Sequence, residues 1–401
     1  KKMTSIYYIA VAMVAALIFN RIVKKVRLPN VTGYLVAGLV MGPYGLKLIS
    51  ADAVDTMSVI LTVALGFIAF SIGGEFKLEN IKRIGRSVLV ITVFQSLGAS
   101  VLVGLTLIVF GFSVPLAITL GSIAAATAPA ATLMVVRQYK AKGPLTNMLL
   151  PVVALDDAIG LVVFSVCLSI AHVMTDGSGF SAAETFLTPL REISLSLLAG
   201  AAIGAALSLS LKVFHSSANR ICLVVCAVFL GTALAGMYDL SSLLVCMSIG
   251  GAMANMAPDY ANVLEINDKW TPPLFLLFFV ISGAQLDIKV LPSVGLLGVL
   301  YILSRAAGKY LGAFCGASAM KAGRNMRNYL GIMLLPQAGV AIGMSQLVIM
   351  ALPQYGEQIR AVVLCATIVY ELMGPLATKF ALIKAGEIKK YQPQKQAVYK
   401  T

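Results

Sequence analysis

Charge is scarce in this chain. Asp, Glu, Lys and Arg make up 12% of its 401 residues, and only 17 of them are acidic, whereas soluble domains carry about a quarter charged residues. A surface facing water on all sides cannot be built from so few, which excludes an ordinary soluble enzyme or binding domain. Histidine is rarer still, with His172 and His215 alone. Six cysteines are present, all in apolar segments and none at metal-ligand or disulfide-framework spacing; Cys222 and Cys226, four apart, share one helix face, as ordinary packing residues do. A Ser/His/Asp triad, a nucleotide-binding glycine loop and a metal-hydrolase cluster are all missing, so nothing points to an enzyme or a bound cofactor. Long polar stretches are missing too, the longest running from Asp176 to Glu184. What remains is apolar: 59% of residues are hydrophobic and the mean hydropathy is +0.90. That composition predicts an all-α integral membrane protein. Lys1 and Lys2 precede an apolar stretch with no small-residue cleavage pattern, so the first segment is expected to be a span, not a cleaved signal.

Hydropathy predicts about 13 transmembrane segments, near residues 4–22, 29–42, 54–75, 85–110, 113–138, 145–174, 186–212, 219–237, 240–256, 270–286, 292–319, 327–350 and 357–385. Of the 31 Lys and Arg residues, twenty-three fall on the side reached after segments one, three, five, seven, nine and eleven and in the tail; six fall on the other, and Arg305 and Lys309 lie inside segment eleven. The positive-inside rule then puts the amino terminus outside and the carboxyl terminus in the cytoplasm, which an odd number of spans requires. The net charge of +14 is therefore a topology signal and does not imply nucleic acid.

A weak internal repeat is legible. Segments three and ten share a Phe-rich ending, Phe67 to Glu75 and Phe278 to Asp287, and segments five and twelve are each interrupted in mid-span, at residues 126–132 around Pro129 and at 335–339 with Pro336, Gln337 and Gly339. Segments one to six and eight to thirteen then form two six-helix halves, inverted because segment seven intervenes. Paired Pro-interrupted spans in inverted halves point to a transporter's binding site.

Asp156 and Asp157, adjacent inside segment six, are the sharpest chemical signal. A carboxylate at the bilayer centre costs roughly 2.5–3.5 kcal/mol on insertion scales, so a pair there is functional by default. Helical neighbours point about 100° apart, so one can face a cavity while the other meets a partner. A carboxylate that trades its proton for a cation is an exchange site. Thr127, Thr132 and the carbonyls freed by the first break are expected to add hard oxygen ligands for a monovalent cation. Arg305 and Lys309, one turn apart on one face, bring positive charge to the same depth; either can pair with an aspartate. Glu371, midway along segment thirteen, is expected to form an ion pair with Arg305 or Lys309. Glu75, Asp287, His172 and His215 lie at span ends and read as interfacial.

Jointly, Leu28 to Gly38 with Gly42-Pro43, Phe70 to Phe76, the Thr127-Ala-Pro-Ala-Ala-Thr132 break, Ala154-Leu155-Asp156-Asp157 and Gly308 to Ala313 make the chain resemble, over its whole length, a cation:proton antiporter of the NhaA/NapA type, in the monovalent cation:proton antiporter superfamily. The resemblance implies a core domain (residues 85–174 and 292–385) whose discontinuous helices cross, dimerisation helices (1–84 and 213–291), a linker helix (175–212), a cytoplasmic tail (386–401) and a homodimer in a bacterial cytoplasmic membrane, in contact with lipid. It implies that Asp157 is the principal ion and proton carrier and that Asp156 pairs with Lys309. Paired aspartates imply electrogenic exchange of two protons per sodium. Two departures stand out: Gln337-Ala338-Gly339 occupies the place where relatives often carry Arg-Gly-Glu, and Arg305 is an additional cation.

The expected function is sodium (lithium)/proton antiport by alternating access, without a cofactor. Potassium/proton exchange on the same fold is the first alternative; a sodium-coupled organic-anion symporter and a non-transporting ion sensor are the others.

Overall fold

A computed structural model of the chain describes residues 5–25, 28–74, 78–176, 182–238, 240–287 and 294–388. Glu75 and most of the tail lie outside the described residues. Seventeen helices and no strands occur among them. The first eight are α1 (Ser5–Lys25), α2 (Asn30–Met41), α3 (Ala51–Thr56), α4 (Ser58–Gly74), α5 (Leu78–Val109), α6 (Val114–Ile123), α7 (Pro129–Gln138) and α8 (Pro144–Asp176). After α9 (Ala182–Ser210) come α10 (Ser217–Met237), α11 (Ser242–Met256), α12 (Tyr260–Trp270), α13 (Pro272–Ala284), α14 (Gly295–Ala319), α15 (Arg324–Met333), α16 (Gly339–Ala351) and α17 (Pro353–Ala385).

Each expected segment coincides with a helix or a pair of helices. Segments five and twelve are the broken pairs α6/α7 and α15/α16. Segment three is corrected: the chain turns a corner at Met57, and Ser50 caps the short α3 by accepting a hydrogen bond from the Ala53 amide at 3.3 Å. α12 is not expected from hydropathy, because its outer face is polar. It holds a Lys269–Glu265 ion pair one turn apart at 2.8 Å, and Arg137 reaches its Asp268 at 2.8 Å. Both additions fall at the same place in the order, just before the third apolar helix of the sets α1–α8 and α10–α17. In each set the broken pair is followed by a 33-residue helix with an internal proline, Pro151 in α8 and Pro375 in α17.

α1, α5, α8, α9, α10 and α17 each contain a stretch long and apolar enough to cross a membrane. Their outward faces are apolar, with Leu198 66% and Val109 80% exposed, as a lipid-facing surface requires. The chain is an integral membrane protein.

Three apolar clusters organise the interior. The largest joins α1 to α4 with α10, α11 and α13, around Phe67, Phe70, Phe275 and Phe279, with Trp270 edge-on to Phe67 at 4.9 Å. The second gathers α6, α16 and parts of α5, α14 and α17 around Tyr301; the third gathers the opposite ends of α5, α14 and α17 with α7, α15 and the start of α8. The second and third clusters thus sandwich the two helix breaks. α9 lies along α8, α10 and α11.

The packing of α5 on α14 sets the site. A Cβ at Gly308 would sit 2.7 Å from the Ala99 Cα, and one at Gly312 2.7 Å from the Gln95 Cα. Only glycine permits this approach, the usual device for close helix contact where no hydrophobic drive exists between membrane helices. It brings Lys309 of α14 onto Gln95 of α5.

Candidate functional site: two crossed helix breaks and a buried charge network

Between α6 and α7 the chain leaves the helix at residues 126–128, and between α15 and α16 at 335–338. Pro129 and Gly339 begin the second half-helices, and Pro336 lies in the second break. The breaks touch through the Ala128 amide, which donates to the Pro336 carbonyl at 2.9 Å. Carbonyls at helix C-termini lack intrahelical partners and carry partial negative charge, so at this depth they need donors.

Arg305 and Lys309 supply them. Arg305, fully buried, donates to Ala124 O at 3.1 Å, Ala126 O at 2.7 Å and Leu335 O at 2.7 Å, with its guanidinium 4.5 Å from the Tyr370 ring centroid. It therefore ties the two breaks together and does not reach an aspartate or an interface. The Lys309 ammonium donates to Gln95 Oε1 at 2.6 Å, Thr127 Oγ1 at 2.7 Å, Asp156 Oδ2 at 3.0 Å and the Ala125 carbonyl. Between the two cations, Lys309 is thus the one that pairs with Asp156, and both partners are fully buried. Four oxygens compete for three ammonium protons, so the contacts around Lys309 can be exchanged without breaking the network.

Asp156 is saturated: Oδ1 also accepts from the Gln95 amide and the Ser96 hydroxyl. Asp157 is its opposite. It is 3% exposed, and its Oδ1 is buried without a hydrogen-bond partner. The pair thus divides as its helical spacing allows, one carboxylate held and one free.

Three expectations are corrected. Of the carbonyls of residues 126–129, that of Ala126 accepts from Arg305 at 2.7 Å, so it is not an open ligand for a cation. Thr127 does join the network, yet as an acceptor from Lys309 and a donor to Leu334 O at 3.4 Å; Thr132 donates to Met333 O at 3.2 Å and contacts neither aspartate. Glu371 makes no ion pair with Arg305 or Lys309. The donors of both cations are engaged by break carbonyls and by Asp156.

Gln337 sits where the relatives' charged pair begins and bridges across the breaks, donating to Ile123 O at 3.2 Å and to the Tyr301 hydroxyl at 2.9 Å. Gln95, Ser96, Tyr301 and Tyr370 escaped the sequence reading; the one available signal was a Gln-Ser pair in the middle of an apolar helix. At the span ends, His172 has a ring nitrogen 3.1 Å from Ala351 O, His215 is exposed, and Asp287 is half-buried just past α13.

A cavity of about 320 Å³ opens beside the breaks, walled on one side by α2, α4, α11 and α13 and on the other by residues 126–130, 338–342 and α17. Thr127 lines it and touches Lys309, so the cavity abuts the charge network.

The profile of the family described as "Sodium/hydrogen exchanger, transmembrane" matches residues 9–384. The chain belongs to this family. It is accordingly a secondary transporter that exchanges monovalent cations for protons across a membrane, and not an enzyme. Among curated relatives of this exchanger, the probable Na(+)/H(+) antiporter 3 of Methanocaldococcus jannaschii is 22% identical over 393 residues, 94% of this chain and 97% of the relative. The iron transporter MagA of Paramagnetospirillum magneticum is 30% identical over 132 residues, 32% of this chain and 29% of the relative. Two structures of the sodium proton antiporter MjNhaP1 from M. jannaschii share the fold. One, at pH 8, has a TM-score of 0.69 at 18% identity, covering 95% of this chain and 96% of that chain. The other, an electron-microscopy structure, has a TM-score of 0.77 at 19% identity, covering 98% and 100%.

Proposed function

We propose that this exchanger is a sodium (lithium)/proton antiporter in which cation and protons compete for the Asp156–Asp157 pair. The observation that carries the reading is the inequality of the two carboxylates. Asp156 is neutralised by Lys309 and two neutral donors, whereas Asp157 is buried with an unpartnered oxygen. A buried charge without a partner is costly, so Asp157 is stable only when holding a proton or a cation. That is the requirement for obligatory exchange.

A cation arriving at Asp157 can draw in Asp156 as a second carboxylate ligand. Lys309 is then left without its counter-charge and gives up a proton, which with the proton from Asp157 amounts to two per sodium. Arg305 effectively cannot lose its proton; it keeps the breaks joined while the site empties and fills.

Thirteen spans in two inverted six-helix halves agree with the repeated helix order and with the distribution of Lys and Arg, amino terminus outside. The clusters around the breaks form the moving core, the large Phe-rich cluster forms the scaffold and homodimer surface, and the cavity between them is one of the alternating openings. The setting is a bacterial cytoplasmic membrane, with lipid as neighbour.

Proton flux in proteoliposomes with an internal pH dye tests the reading, with sodium, lithium or potassium added under a clamped potential. Sodium or lithium should drive proton movement in the wild type and not in Asp157→Asn, and the rate should respond to potential. Flux driven by potassium alone would replace the reading by potassium/proton exchange. Cation-dependent flux that survives in Asp157→Asn would refute the role of Asp157.

A further inference from the structure

The buried carboxylate of Glu371 has no place in the exchange just described. It is 4% exposed, lies midway along α17, and makes no hydrogen bond or ion pair among the described residues. The two fixed cations at this depth are engaged elsewhere, Arg305 by three break carbonyls and Lys309 by Asp156, Gln95 and Thr127. Glu371 is the one ionisable side chain among the described residues that line the cavity beside the breaks. Thr367, one helical turn earlier on the same face, also lines it, is 2% exposed, and has an unpartnered hydroxyl. On the other side of Glu371, a Cβ at Gly374 would come 2.6 Å from Pro336 Cγ, so this face of α17 rests on the second break. Ser282 and Gln285 of α13 complete the polar lining from the scaffold side.

The helix order adds an independent argument. α8 and α17 are both 33 residues long, both follow a broken pair and both contain a proline. Each carries buried carboxylate near its middle, Asp156 and Asp157 in the first and Glu371 in the second. The carboxylates of α8 have a fixed cation beside them in Lys309 of α14; that of α17 has none in contact among the described residues.

The geometry points to Glu371 and Thr367 as a second binding site for the monovalent cation, on the cavity side of the breaks and distinct from the Asp156–Asp157 pair. A carboxylate and a hydroxyl at one edge of this cavity are hard oxygen ligands, and the counter-charge of Glu371 then comes from the transported ion itself. Thr127, which lines the same cavity and touches Lys309, connects this site to the inner one, so a cation held at Glu371 waits one step from exchange. The identity of the ligand rests on the antiport reading; the existence of the site does not.

The test uses purified protein in detergent and in proteoliposomes. Thermal stabilisation by sodium chloride, against choline chloride at equal ionic strength, is compared for wild type, Asp157→Asn, Glu371→Gln and the double variant. Each single variant is expected to keep part of the stabilisation, and the double variant none. In Glu371→Gln the sodium concentration for half-maximal effect, and the KM for sodium-driven proton flux, should rise roughly tenfold with little change in kcat. Unchanged sodium dependence in Glu371→Gln would overturn the site, as would a fall in kcat at constant KM, which a structural role predicts. Should Glu371→Gln fail to fold, Thr367→Val takes its place: a several-fold rise in the same concentrations supports the site, and no change removes it. A wild type without sodium-driven proton flux would sink the proposed function, while the stabilisation comparison would still decide whether Glu371 binds sodium.

Discussion

Replacing Lys309 by Met isolates the electrostatics of the site. The substitution keeps the apolar stem and removes the ammonium, leaving Asp156 fully buried with only the Gln95 amide and the Ser96 hydroxyl as donors. Removing one partner of a buried ion pair typically costs about 3–5 kcal/mol, because the remaining charge is uncompensated, whereas replacing both partners is often nearly neutral. With an unfolding entropy of about 2.1 cal/mol/K per residue over 401 residues, each kcal/mol is about 1.2 °C of melting temperature. Lys309→Met should therefore melt about 4–6 °C below wild type in detergent. Asp156→Asn should be unstable too, since Lys309 then loses its counter-charge beside Arg305. The double variant, with neutral groups on both sides, should recover more than half of the Lys309→Met loss. If the two single losses instead add in the double variant, Asp156 and Lys309 do not act as a pair, and the reasoning that leaves Asp157 as the exchangeable carboxylate fails with it.

Two further perturbations probe the frame around the site. A side chain at Gly312 would meet the Phe94 carbonyl and, at 2.7 Å, the Gln95 Cα, backbone atoms that cannot swing away, so Gly312→Val should push α14 off α5, lower the melting temperature by several degrees and abolish cation-driven proton flux. Gly343→Ala, where a Cβ meets nothing within 4 Å, should melt at or slightly above wild type, since alanine is favoured over glycine inside a helix. Outside the membrane, hydrogen bonds from Arg220 at 2.5 Å and then Asn262 hold the Asp259 carboxyl below its ordinary value. A carboxyl lowered on folding stabilises above its unfolded pKa, and that contribution is lost as pH falls through the lowered value. Melting measured from neutral to strongly acidic pH should accordingly fall less steeply at the acid end in Asp259→Asn than in wild type; an identical acid limb would remove Asp259 from the account.

The legible part of this protein was whatever the membrane makes expensive. Asp156, Asp157, Arg305, Lys309 and Glu371 stand out because charge inside an apolar run demands a reason, and the breaks stand out because Pro129 and Pro336 interrupt spans that would otherwise run through. Illegible were the neutral groups that complete the network. Gln95 and Ser96 sit in an apolar helix where such residues cost little, and their meeting with Asp156 spans some sixty positions of chain. The resemblance named the Asp156–Lys309 pair correctly, but the expected ion pair of Glu371 with Arg305 or Lys309 is absent among the described residues. Spacing puts Arg305 and Lys309 on one face of α14, yet it does not reveal that the C-terminal carbonyls of two half-helices converge on that face. Those carbonyls engage Arg305 and part of Lys309, so Glu371 receives no fixed counter-charge. α12 went unseen for the opposite reason: its polar face reads as loop until Arg137 is found against Asp268 and Lys269 against Glu265.

The two cations one turn apart divide the work of the crossing according to their chemistry. A structural clamp must keep its charge throughout the cycle and hold fixed directions, and a guanidinium does both, with a planar fork that reaches Ala124, Ala126 and Leu335 together. In the proposed exchange, the group that releases Asp156 when a cation arrives must instead be able to lose a proton and swing between acceptors, and an ammonium with four oxygen neighbours for three protons meets that requirement. Exchanging the roles therefore fails in both directions. In Lys309→Arg the new guanidinium would hold Asp156 permanently, so sodium-driven flux should lose its response to the membrane potential or stop. In Arg305→Lys the shorter ammonium could not bridge both breaks, and among the described residues the half-helices would be joined by hydrogen bonds of Ala128, Thr127, Thr132 and Gln337. Electrogenic flux that persists unchanged in Lys309→Arg would show that the proton of Lys309 takes no part in the exchange.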